Sequence, residues 1–138
     1  MIVLDTNVVS ELMRDRPARI VGTWMDGQSQ DSLFVAAIGM AEVLYGIRKL
    51  PAGRRRAQLE AALEKLMSYG FSDRVLPFDA TAADLYSRIV AECQRRGRPM
   101  EAFDALIAGT VLAHGADLAT RDVAGFEDCG IRLINPWA

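Results

Sequence analysis

The sequence predicts an α/β domain with a mainly parallel central sheet of four to five short strands flanked by helices. Three observations predict it. Apolar runs of about four residues recur and alternate with segments whose apolar residues repeat every 3.6 positions. Strands and helices take turns along the chain rather than clustering, which calls for βα units and a parallel sheet. The 138 residues suffice for one core and leave no room for a second, so residues 1–138 read as a single domain without linker or repeat.

Taken in order, Ile2 to Leu4 is the first strand, a buried run ending at Asp5. Leu33 to Ala36 is the second and Arg74 to Phe78 the third; Asp117 to Ala119 and Ile131 to Ile134 supply two more. The helices lie between them. Met40, Val43, Leu44 and Ile47 fall at i, i+3, i+4 and i+7 and make one apolar stripe. Leu59, Leu63, Leu66 and Met67 make another in the longest helix, over residues 54–69. Leu85, Ile89 and Cys93 form a third that stops at Gly97; Phe103, Leu106, Ile107, Thr110 and Val111 form a fourth that ends at Gly115. Val8, Val9, Leu12 and Met13 remain as apolar residues without an assigned partner, a face for a homodimer or another protein.

Composition narrows the function classes. Apolar residues make up 51 % of the chain, ordinary for a soluble domain. The net charge of −2 gives no global field toward a polyanion, although all 16 basic residues except Lys49 and Lys65 are arginines, which grip phosphate with two hydrogen bonds. Cys93 and Cys129 have no zinc-type spacing and form no disulfide framework, which fits a reducing compartment. No basic leader precedes an apolar segment, and no stretch reaches the roughly 20 apolar residues that span a bilayer. The expected location is the cytoplasm.

Four acids share one predicted edge. In an open parallel sheet, ligands bind at the carboxyl ends of the strands. Asp5 follows the first strand, and Glu42 lies near the start of the helix after the second. Asp104 begins the helix of residues 103–114, and Asp122 follows Leu118-Ala119 across Thr120-Arg121. Taken singly, Asp5, Asp104 and Asp122 read first as helix caps, and Glu42 as a solvated charge. Together they would repel one another unless a cation neutralised them. A hard divalent cation such as Mg²⁺ takes oxygen ligands and keeps room for water and substrate phosphate. Metal-assisted attack of water on a phosphodiester follows from that site.

Ile2-Val3-Leu4-Asp5-Thr6-Asn7 resembles the first motif of PIN-domain nucleases. Ala41-Glu42 with Gly46 resembles the second, Asp104-Ala105-Leu106-Ile107-Ala108 the third, and Leu118 to Asp122 with Phe126 and Ile134-Asn135-Pro136-Trp137 the closing part. The match spans essentially the whole chain and is strongest to the VapC and FitB toxins of bacterial toxin–antitoxin pairs. The resemblance implies a PIN fold and an endoribonuclease dependent on Mg²⁺ or Mn²⁺. It also implies an antitoxin that occupies the site, and operator DNA bound through that complex. By position, Asp5, Glu42 and Asp104 match the three metal-binding, catalytic acids, and Asp122 a fourth, more variable one. Thr6 and Asn7 match residues that support the first acid, and Thr120 a hydroxyl beside the site.

Several residues carry weaker signals. Glu101, three positions before Asp104, is an auxiliary metal contact or a first-turn acid favoured by the helix dipole. Arg95, Arg96 and Arg98 precede the Asp104 helix and are candidate RNA contacts; Arg54, Arg55 and Arg56 read as a solvated helix end. His114 reads as a contact to a helix C-terminus, and Trp24 and Trp137 as packing. Two other functions fit parts of the pattern. A phosphotransferase would use Asp5 as nucleophile, but the second acid such chemistry wants is replaced by Asn7. A binding module would keep the acidic cleft as a dock for a partner's arginine and act as a repressor with its antitoxin.

Overall fold

The computed structural model describes residues 1–138. Five strands form one sheet in the order β3-β2-β1-β4-β5: β1 (Ile2–Leu4), β2 (Leu33–Ala36), β3 (Val75–Leu76), β4 (Asp117–Ala119) and β5 (Leu133–Ile134). Every neighbouring pair is parallel, with Val3 opposite Phe34 on one side and Leu118 on the other. The two edge strands are shorter than the sequence predicts. Leu76 pairs with Ala36, after which the chain of β2 turns into a helix and leaves Pro77 and Phe78 no partner. Ile131 likewise lies ahead of the first paired residue of β5, Leu133.

Six helices cover the sheet: α1 (Thr6–Leu12), α2 (Arg19–Asp26), α3 (Ala37–Arg48), α4 (Arg54–Gly70), α5 (Ala80–Arg95) and α6 (Ala102–Ala113). Side chains alternate across each strand, so successive residues feed opposite cores. Val3, Ala36 and Leu118 point to the face covered by α5 and α6, where Ile89, Ile107 and Val111 meet them. Leu4, Val35 and Ala119 point to the other face, against Val8 and Val9 of α1, Val43 and Ile47 of α3 and Leu63 of α4. Both faces are dry, which is why the strands read as unbroken apolar runs. Val8 and Val9 therefore belong to this chain's own core, and Leu12 and Met13 pack against it; they are not the unpartnered face expected from the sequence.

The strand order fixes where a ligand can sit. From β1 the chain moves outward to β2 and β3, and later returns to the other flank of β1 with β4 and β5. The crevice at such a reversal opens at the carboxyl ends of the central strands. Here those ends are Asp5, after β1, and Thr120, after β4; Asp5 N–H donates to the Ala119 carbonyl at 2.9 Å. Helix α6 runs against the strand direction before β4, so its N-terminus and Asp104 lie at the same edge.

Helices α5 and α6 approach closely because Gly109 has no side chain. A Cβ there would stand 2.7 Å from the Ala82 carbonyl oxygen and 3.0 Å from the Tyr86 Cβ. Gly109→Ala should lower folding stability by about 1–3 kcal/mol through overpacking. Urea unfolding would show this as a lower midpoint with an unchanged slope.

Candidate active site

Asp5 is the most deeply placed of the four acids, only 4 % exposed. It caps α1: one carboxylate oxygen accepts the Thr6 backbone N–H at 2.8 Å. The other accepts the Thr120 hydroxyl at 2.7 Å and the Asn7 side-chain amide at 3.4 Å. Burial pushes its pKa up from 3.8; the Thr120 and Thr6 hydrogen bonds pull it down, and the charges of Glu42 and Asp122 push it up again. Asp5 is the helix cap that the sequence predicts. Capping satisfies one helix donor; it does nothing for the crowding of negative charge.

The other acids arrive from separate elements. Glu42 stands in the second turn of α3, and the Thr6 hydroxyl donates to its carboxylate. Thr6 therefore serves two acids, Asp5 through its backbone and Glu42 through its side chain. Asp104 is a first-turn residue of α6, but Glu101 is the cap: its carboxylate accepts the Asp104 N–H at 3.1 Å. Asp122 accepts the Gly125 N–H at 3.1 Å and caps a 3-10 turn, while its own N–H donates to the Thr120 hydroxyl at 3.0 Å.

Asp104 reports the charge imbalance. Its pKa rises from 3.8 to about 7, first through burial and then through repulsion by Asp5, Glu101, Asp122 and Glu42. No cation relieves this crowd, since every ion pair in the protein engages other acids. The carboxylates do not form a closed cage of three side chains around a point. An all-oxygen, negatively charged, half-open site still fits Mg²⁺, which binds through one or two carboxylates and keeps several waters. It suits zinc poorly, because no His or Cys joins the group.

A PIN-domain model matches residues 2–130, nearly the whole chain. The chain belongs to the PIN-domain family. This PIN domain is 42 % identical over 137 residues to the VapC ribonuclease Y4jK of Sinorhizobium fredii, covering 99 % of this chain and 98 % of that protein. It is 35 % identical over 137 residues to the toxin FitB of Neisseria gonorrhoeae, covering 99 % of each. Its backbone superposes with a TM-score of 0.90 on a chain in the structure of FitAB bound to an IR36 DNA fragment, at 34 % identity and covering 100 % of this chain and 96 % of that one.

Elsewhere in the PIN domain, the expected accessory residues divide. Thr120 is fully buried and bonds Asp5 and Asp122 together. Asn7 ties Thr120 to the loop behind it by accepting the Arg121 N–H at 3.2 Å. Arg95 and Arg96 share Glu92 at 2.7 and 2.9 Å, and Arg98 pairs with Asp128 at 3.5 Å, so two carboxylates partly offset these three exposed cations. His114 contacts the Thr110 carbonyl at 2.9 Å at the far end of α6, roughly 15 Å of helix from Asp104. Trp24 packs on the core. The sequence reading passed over Glu11, buried at 7 % exposure and paired with Arg14 at 3.2 Å. It also left Arg121 out, although that guanidinium lies 5.0 Å from the centre of the Trp137 ring. An Arg next to a candidate acid in the chain was the available signal.

Asp104 gives the site a pH signature. The unfolded side chain ionises near 3.8 and the folded one near 7, so the folded chain binds the extra proton and loses stability as pH rises across that window. In metal-free buffer, Asp104→Asn should remove that loss and melt above the wild type at neutral pH. Thermal melts of both proteins across the window check the sign.

Proposed function

We propose that the protein is a Mg²⁺- or Mn²⁺-dependent endoribonuclease, the toxin of a toxin–antitoxin pair, held in check by a cognate antitoxin in the cytoplasm. The observation that carries the reading is the group of four acids near the sheet's carboxyl edge, none of which pairs with a basic side chain. The likeness to a VapC ribonuclease and to the FitB toxin supports RNA as substrate and a protein inhibitor as partner. The FitAB–DNA structure supports operator binding by the assembled pair.

In this reading Asp5, Glu42 and Asp104 hold the ion, and Asp122 ligates it or positions a water. The ion supplies Lewis-acid polarisation of the scissile phosphate and lowers the pKa of the attacking water. The chain's own work is to present the ligands already oriented. Thr120 and the Thr6 N–H each hold one oxygen of Asp5, which fixes the orientation of its carboxylate. The Thr6 hydroxyl holds Glu42, and the Glu101 cap locks the turn that carries Asp104. Asp104, whose pKa burial and neighbouring acids push up to about 7, would hold the ion as the ionised carboxylate. The N-terminal dipole of α6 favours the resulting carboxylate.

Asp5→Asn should lower RNA cleavage by roughly a hundredfold or more while leaving the fold intact. EDTA should abolish wild-type cleavage, and added Mg²⁺ or Mn²⁺ should restore it. Full activity in the variant, or in EDTA, would contradict the proposal. Thr120→Val, which leaves Asp5 less well oriented, should cost about 10- to 100-fold in activity or metal affinity. Cleavage assays against metal concentration separate the two effects.

A further inference from the structure

A groove of about 1020 Å³ opens beside the acid site; Thr6, Asn7 and Glu42 line its inner end. It continues between α1, α3 and α4, and its walls carry Arg14, Arg16, Arg55 and Arg121. Arg14 is answered by Glu11 at 3.2 Å. Arg16, Arg55 and Arg121 form no ion pair, whereas most of the other arginines do. With Glu11 answering Arg14, Asp15 and Glu42 stand against the three remaining guanidinium groups, which leaves the groove an excess of positive charge. Cations gathered in a cleft and left unpaired make a track for a polyanion.

Arg121 is the best anchored of the three. Its N–H is held by the Asn7 side chain at 3.2 Å, and the next residues on either side, Thr120 and Asp122, are bonded into the acid site. Its guanidinium lies over Trp137, which packs against the core and has its own N–H held by Asn135 at 2.9 Å. Stacking on an indole face pre-orders the planar fork and leaves its N–H edges free for phosphate oxygens.

We propose that this groove carries the RNA strand to the acid site, with Arg16, Arg55 and Arg121 gripping its phosphates and Trp137 holding Arg121 in place. The assignment rests on the ribonuclease reading and adds the path of the substrate to it. The arginines contact phosphates, so they set affinity without choosing a sequence.

The test uses Asp5→Asn as the background for binding and the wild-type site for turnover. A fluorescein-labelled single-stranded RNA is titrated into Arg16→Ala, Arg55→Ala, Arg121→Ala and the triple variant across a series of NaCl concentrations. Each lost contact should flatten the slope of log K against log salt by about 0.7, and the triple variant by about 2. In cleavage assays KM should rise about tenfold for Arg121→Ala, with kcat changed less than about twofold. Trp137→Ala should weaken RNA binding as Arg121→Ala does, while Trp137→Phe, which keeps an aromatic face and the packing, should stay near the wild type. Arg88→Ala, at an exposed pair with Asp84 outside the groove, should change nothing. If the groove serves a protein partner instead, RNA affinity and salt slope stay unchanged in the triple variant, and the proposal is overturned. Loss of kcat alone, with KM and slope unchanged, overturns it too. The ribonuclease reading fails separately, when Asp5→Asn still cleaves.

Discussion

Burying a carboxylate among other carboxylates is the constraint on which the rest of this protein depends. Asp5 is removed from water at the end of the central strand, and its nearest charged neighbours have the same sign. Hydrogen bonds to Thr6 and Thr120 reduce the penalty without cancelling it, because neither donor brings a positive charge. The folded chain therefore holds a local deficit of positive charge, most visible in the raised pKa of Asp104. A divalent ion is the economical remedy, since one ion would answer two charges brought from separate elements.

The architecture explains how such an arrangement is tolerated. Two dry faces of packed apolar side chains hold β1 and β4 in register, so the residues just beyond them have no freedom to move apart. Asp5, Thr120 and Asp122 are joined through one hydroxyl, and Glu42 through another. The network draws on α1, α3, and the loop after β4, and α6 adds Asp104 by pointing its N-terminus at the same edge. Core packing supplies the rigidity, and the acid site spends it.

Much of this was legible in the chain itself. The runs Ile2 to Leu4 and Leu33 to Ala36 read correctly as strands because both faces are buried, and the helices over residues 54–69 and before Gly115 read correctly from periodicity. Asp5 was placed by the end of its strand. What remained hidden depends on contacts between distant elements. Nothing local says that the Thr6 hydroxyl reaches Glu42, 36 residues away, or that Val8 and Val9 fill the chain's own core. Arg95, Arg96 and Arg98 are legible as a basic cluster, but their pairing with Glu92 and Asp128 is not. Arg121 reads as a spacer in the chain, and only the parallel pairing of β4 with β5 brings Trp137 against its guanidinium. Charge type is readable in a sequence; charge pairing is a tertiary property.

The central claim is that the acids are a metal site rather than a set of helix caps. Crystals soaked in Mn²⁺ and measured at the metal's absorption edge test it directly. An anomalous peak in ligating contact with the Asp5 and Asp104 carboxylates is the predicted result, and it should vanish in Asp5→Asn. A protein that cleaves RNA while its Mn²⁺ peak lies elsewhere, or that shows no peak at all, would contradict the account.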